Sequence, residues 1–110
     1  MSELTQRSCT PCRGGVPPLS GEPLRTFREK LPFWKVIDEH HLAKSFLFPD
    51  FKTALDFVNR IGALAEQEGH HPDICLSWGK VDVITYTHKI GGLSENDFIL
   101  AAKIDELPNR

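Results

Sequence analysis

The stretch from Pro49 to Gly69 constrains this chain more than any other, because it admits one local structure. Phe51, Leu55, Val58, Ile61, Leu64 and Ala65 recur at helical spacing, so they form an apolar stripe that needs a surface to cover it. Asp50 suits the N-cap, where its carboxylate can accept a first-turn amide. Gly69 suits the left-handed residue that closes a helix.

The segments on either side supply that surface as strands. Phe33–Ile37 and Leu42–Phe48 are rich in β-branched and aromatic residues and flank the polar Asp38-Glu39-His40-His41, which reads as a hairpin. Ile74–Trp78 and Val81–His88 form a second hairpin, with Gly79-Lys80 as a Gly-first two-residue turn. Ser20 caps a short helix carrying Leu24, Phe27 and Leu31, and Pro32 stops it. The last helix runs from Ser94 to Leu107, with Ser94 and Asp97 at capping-box spacing and Leu100, Ala101, Ile104 and Leu107 on one face. The order α-β-β-α-β-β-α predicts an α+β fold, a four-stranded antiparallel sheet with helices on one face.

Residues 1–19 cluster Cys, Thr, Pro and Gly and read as an extended N-terminal arm; residues 20–110 read as a single domain. Cys9-Thr-Pro-Cys12 has C-x-x-C spacing. Zinc would need a second such pair, and a redox pair would need a strand before it and a helix after it, so free thiols are expected. A formal charge of -2, with scattered Lys and Arg, provides no cationic field for nucleic acid. No apolar run is long enough for a bilayer, and Met1–Thr10 lacks the pattern of a secretory signal, so a cytoplasmic protein is expected.

The second hairpin carries the chemistry. On a Gly79-Lys80 turn, Trp78 pairs with Val81, Leu76 with Val83, Ile74 with Thr85 and Pro72 with Thr87, all on the core face. On the opposite face Asp73 meets Tyr86, and His71 meets His88. His70 lies at the mouth of this arrangement, with Glu66 one helical turn before it. A pocket of three imidazoles and a carboxylate follows. Imidazoles exchange protons near neutrality, so acid/base chemistry is the natural use, and the same atoms would also suit zinc or iron.

Glu66, then His70-His71-Pro72, Trp78, His88 and Asp97 at these spacings resemble the signature of the pterin-4a-carbinolamine dehydratases, and the element order resembles that family's. The resemblance implies dehydration of 4a-hydroxytetrahydropterin to quinonoid dihydropterin, which recycles the cofactor of aromatic amino-acid hydroxylases, with no metal or bound cofactor. By position, His70 and His88 would be the acid/base pair. His71 would belong to the catalytic set and also hold the pterin, with Glu66, Pro72 and Asp97 completing the substrate-binding set. Two of these positions have a structural explanation of their own: the register turns Trp78 toward the core, and a Ser94 capping box accounts for Asp97.

His40-His41 has no carboxylate or third imidazole in reach and reads as a solvated surface pair. A role outside catalysis is a protein-binding module, since the family the chain resembles includes members that stabilise dimers of a homeodomain transcription factor. The open sheet edges and the family's habit both imply a homodimer or homotetramer.

Overall fold

The computed structural model describes residues 3–10 and 14–108. A short 3-10 helix (Glu3–Gln6) precedes α1 (Gly21–Glu29), β1 (Lys35–Ile37), β2 (His41–Leu47), α2 (Phe51–Glu68), β3 (Asp73–Ser77) and β4 (Lys80–Thr85). A second 3-10 turn (His88–Ile90) and α3 (Glu95–Asp105) complete the chain. The strands form one antiparallel sheet in the order β1-β2-β4-β3. The expected α+β class and element order are those observed.

The ends of α2 are set locally. The Asp50 carboxylate accepts the Thr53 amide at 2.8 Å, and Gly69, at φ 67°, donates its N–H to the Ala65 carbonyl at 2.9 Å. The buried face differs from the expected stripe. Ala54, Phe57, Ile61 and Ala65 meet the core, while Phe51 and Leu55 are 44% and 38% exposed. Val58 and Leu64 of the stripe also pack against the core, so the buried face is rotated toward Ala54 and Phe57 and leaves out only the stripe's first two residues.

The hairpin turn also shifts. Ser77 pairs with Lys80, so the two-residue turn is Trp78-Gly79 and each partner is displaced by two residues from the expected register. An even displacement keeps side-chain parity, so Val81 and Val83 still enter the core, with Ile74 and Leu76 packed against it. Trp78 does not: it sits at the turn, 68% exposed. Gly79 serves a close approach, because a Cβ there would lie 2.9 Å from the Phe48 carbonyl oxygen, which the Phe48–Gly79 backbone bond brings near.

The predicted pairing of His71 with His88 does not form. Pro72 has no N–H to donate, and the ladder starts at Asp73, which pairs with Ile84 rather than Tyr86. Beyond Thr85 the chain leaves the sheet, and a Thr87–Gly92 bridge encloses the 3-10 turn that carries His88.

β1 and β2 are joined by Asp38-Glu39-His40, the first two at φ 53°, with the His40 amide donating to the Ile37 carbonyl at 2.9 Å. Two non-glycine residues in the left-handed region cost about 1–2 kcal/mol each.

α3 is buried nearly all round, with Phe98, Ile99, Leu100, Ala101, Ala102 and Ile104 in the core. Part of its cover is a surprise for a segment expected to be an extended arm. Leu4 is fully buried in the core, and Arg7 pairs with Glu95 at the start of α3. Cys12, and with it half of the C-x-x-C spacing, lies outside the described residues.

Candidate active site

Gly69 turns the chain sharply out of α2, so His70 and His71 emerge where the helix meets the sheet. His70, 12% exposed, places Nε2 2.6 Å from Oδ1 of Asp97, which is fully buried. That carboxylate is the anchor of the site. Oδ1 also accepts the Thr85 hydroxyl at 2.7 Å, and Oδ2 accepts the Thr87 hydroxyl at 2.8 Å and the Ser94 amide at 2.9 Å. Four donors surround two oxygens, so the neutral His70 ring carries its proton on Nε2 and leaves Nδ1 as the nitrogen able to take one.

Asp97 therefore does two jobs. It completes the capping box of α3, as its spacing with Ser94 indicates, and its other oxygen holds the imidazole. It is fully buried and does not line the cavity. The motif spacing points to Asp97 in the sequence, but the cap accounts for only one of its two oxygens. In the sequence Thr85 and Thr87 are strand positions alone, and no local signal marks their hydroxyls as facing a carboxylate.

His71 takes a different partner, Glu66 Oε2, at 2.5 Å; the two side chains are 59% and 79% exposed. A pair so open to water steers a ring but contributes little to stability, about 0–1 kcal/mol. His88 is exposed on its 3-10 turn, with its ring against Tyr86 at a centroid distance of 4.2 Å. His70, His71 and His88 all line one cavity of about 370 Å³, within the range of small-molecule sites. Its wall continues through Tyr86, Lys89, Thr10 and Asn96. Glu66, Pro72 and Asp97 are not part of that wall. Three larger depressions, of about 450, 650 and 400 Å³, lie around Trp34, around Phe33 and between Glu22 and Glu39, and none of them is lined by an imidazole.

The N-terminal residues close one side of the cavity. Asn96 holds Thr10 by two bonds, accepting its amide at 3.0 Å and donating to its carbonyl at 2.6 Å. Cys9 donates its amide to Glu68 at 2.9 Å. Burial, reinforced by the neighbouring Glu68 carboxylate, pushes the Cys9 thiol up to about 12, so it stays protonated. For Glu68, burial acts to raise the carboxyl, but the Cys9 amide and Lys103, at 2.7 Å, outweigh it and hold the group below its ordinary value.

Among the described residues no three His, Cys, Asp or Glu side chains converge as a metal-binding group. His70 and His71 each direct Nε2 to a different carboxylate, Asp97 and Glu66.

The family description "Pterin 4 alpha carbinolamine dehydratase" matches residues 17–107. The chain belongs to this family. Its members are hydro-lyases, and the motif from Glu66 to Asp97 lies wholly within the matched span. A Rubrobacter xylanophilus protein carrying the pterin-4-alpha-carbinolamine dehydratase name is 58% identical over 107 residues, covering 97% of this chain and all of the other. The crystal structure of a transcriptional coactivator/pterin dehydratase from Brucella melitensis superposes with a TM-score of 0.74 at 30% identity, covering 80% of this chain and 95% of that one. A pterin dehydratase-like RuBisCO assembly factor of the alpha-carboxysome shares the fold, with a TM-score of 0.57 at 24% identity over 66% of this chain and 84% of that one.

Proposed function

We propose that this protein removes water from 4a-hydroxytetrahydropterin to give the quinonoid dihydropterin, with His70 and His88 as the acid/base pair. The observation that carries the proposal is the meeting of His70, anchored on buried Asp97, and His88 at one small-molecule-sized cavity. Nδ1 of His70 takes the N5 proton, and the N5–H electrons form the C4a=N5 double bond. The C4a–O bond breaks with its electron pair, and protonated His88 supplies the proton that turns hydroxide into water. Substrate N5–H and C4a–OH thus become C4a=N5 and one water. Positioned imidazoles contribute on the order of 10²- to 10⁴-fold in such steps.

His71, steered by Glu66, orients the pterin from the rim, and Pro72 fixes the backbone that follows the two imidazoles. No residue in this scheme calls for a metal or a bound cofactor. Recycling of a tetrahydropterin in the cytoplasm is the setting this reaction fits. Residues 20–110, with the N-terminal residues that reach the core and the cavity wall, form the catalytic domain in this reading, and self-association into a dimer or tetramer uses the edges at β1 and β3.

Stopped-flow absorbance on freshly generated 4a-hydroxytetrahydropterin is the direct test. The protein should accelerate loss of the intermediate over the uncatalysed rate, and a combined His70→Ala, His88→Ala variant should return to that baseline with its fold intact. Full activity in the double variant would sink the proposal. A protein-binding role has support in the coactivator named in the Brucella structure and in the exposed Ile37 and Leu47 on the sheet. A pull-down that recovers a regulator with the double variant as well as with the wild type would support that second role.

A further inference from the structure

His40 and His41 were expected to be solvated, and the fold gives them company. The His40 ring lies 4.5 Å from that of Tyr86 at an interplanar angle of 41°, and the Tyr86 ring lies 4.2 Å from that of His88 at 36°. Tyr86 and His88 line the cavity. A ladder of three rings therefore runs from the β1–β2 turn to the proposed acid/base residue. Position 40 falls outside the motif that runs from Glu66 to Asp97.

Two further observations show that His40 is held in place. Its Nδ1 lies 3.1 Å from Nδ1 of His41, so one ring donates and the other accepts, which restricts rotation of both. The turn that delivers it is also unusual. Asp38 and Glu39 both sit at φ 53°, a conformation that glycine or asparagine adopts more easily, and strain of this kind persists where the surrounding structure holds it. His88 needs such support. Whereas His70 and His71 are each oriented by a carboxylate, His88 has no hydrogen bond to one among the described residues, and its ring rests on Tyr86.

We propose that His40 is a positioning residue for His88, acting through Tyr86: the strained turn sets the position 40 ring against Tyr86, which holds the His88 ring at the cavity. Ring contact, rather than a proton relay, carries the effect. Proton transfer depends steeply on the placement of the reacting group, so loosening this support lowers turnover while leaving substrate contacts in place.

This inference rests on the dehydratase reading of the cavity, and its test separates the two. Tyr86 is the single tyrosine of the chain, so its ring protons are assignable directly in an NMR spectrum. In His40→Ala, the Tyr86 ring protons and the His88 Cε1 proton should both shift, kcat for 4a-hydroxytetrahydropterin should fall about 10-fold, and KM should stay within about twofold. His40→Phe keeps a flat ring and loses the His41 bond; it should restore most of kcat and return the His88 signal toward its wild-type position. Circular dichroism confirms that each variant is folded. The proposal is overturned if His40→Ala leaves the His88 resonance and kcat unchanged, or if His40→Phe loses as much as His40→Ala. A wild-type protein without dehydratase activity would defeat the functional reading, and the two resonances would still decide whether His40 supports His88.

Discussion

Asparagine at position 97 probes the centre of the site at nearly constant volume. In the wild type every partner of the carboxylate donates: His70 Nε2 at 2.6 Å and the Thr85 hydroxyl at 2.7 Å to one oxygen, the Thr87 hydroxyl at 2.8 Å and the Ser94 amide at 2.9 Å to the other. An amide offers one acceptor and one donor group. The Ser94 N–H cannot reverse its role, so the new oxygen faces Ser94 and the new NH2 faces His70 and Thr85. A threonine hydroxyl can rotate to accept. His70 can accept at Nε2 only by moving its proton to Nδ1, the nitrogen that must be free for catalysis.

Two magnitudes follow from that inversion. Loss of a hydrogen bond to a charged group costs about 1.5–3 kcal/mol, which lowers Tm by roughly 4–8 °C per kcal/mol in a domain of this size. The protein should remain folded, since small domains hold about 5–15 kcal/mol in reserve. The rate should fall further than stability suggests, by about 10²-fold or more, because the general base is lost. Ser94→Ala is the companion: it removes the capping hydroxyl, costs about 1 kcal/mol and leaves kcat close to wild type. Thermal denaturation and stopped-flow turnover read both quantities. Wild-type kcat in Asp97→Asn, or equal rate losses in the two variants, would refute the assignment of Asp97 as the anchor of His70.

Alkylation with iodoacetamide at neutral pH, read by peptide mass spectrometry, should label exposed Cys75 quickly and Cys9 slowly, because the Cys9 thiol is pushed up to about 12 by burial; equal labelling would contradict this. Glu68 has a lowered folded pKa, so its contribution to stability is present above the ordinary carboxylate value and is lost as pH falls through the lowered one. Urea denaturation should accordingly show Glu68→Gln less stable than wild type at pH 7, with the gap narrowing in acid; a constant gap would argue against the linkage. Glu39→Gly should raise stability by about 0.5–1 kcal/mol, because relief of a left-handed φ exceeds the backbone entropy that glycine adds. A lower denaturation midpoint would show that the turn is unstrained.

Much of this protein is legible locally. Asp50 and Gly69 delimit α2, and Ser94 with Asp97 starts α3, because each cap acts on atoms within one helical turn. The alternation of β4 predicts its buried face even though the turn shifts, since displacement by two residues preserves parity. The family motif supplies the imidazoles and the buried acid in one linear pattern.

What only the tertiary structure decides is which of these groups meet. The expected His71–His88 pair fails because Pro72 and the Thr87–Gly92 bridge end the ladder early, and His70 meets Asp97 instead, across 27 positions of sequence. Leu4 enters the core and Thr10 the cavity wall, although the composition around them reads as a loop. His40 reaches Tyr86 only because β1 and β2 turn where they do. A cap, a turn residue or an alternating strand is chosen by energies acting within a few residues, and so appears in the sequence. The second oxygen of a carboxylate or the far face of a ring is assigned by packing between distant segments, and so appears only in the fold.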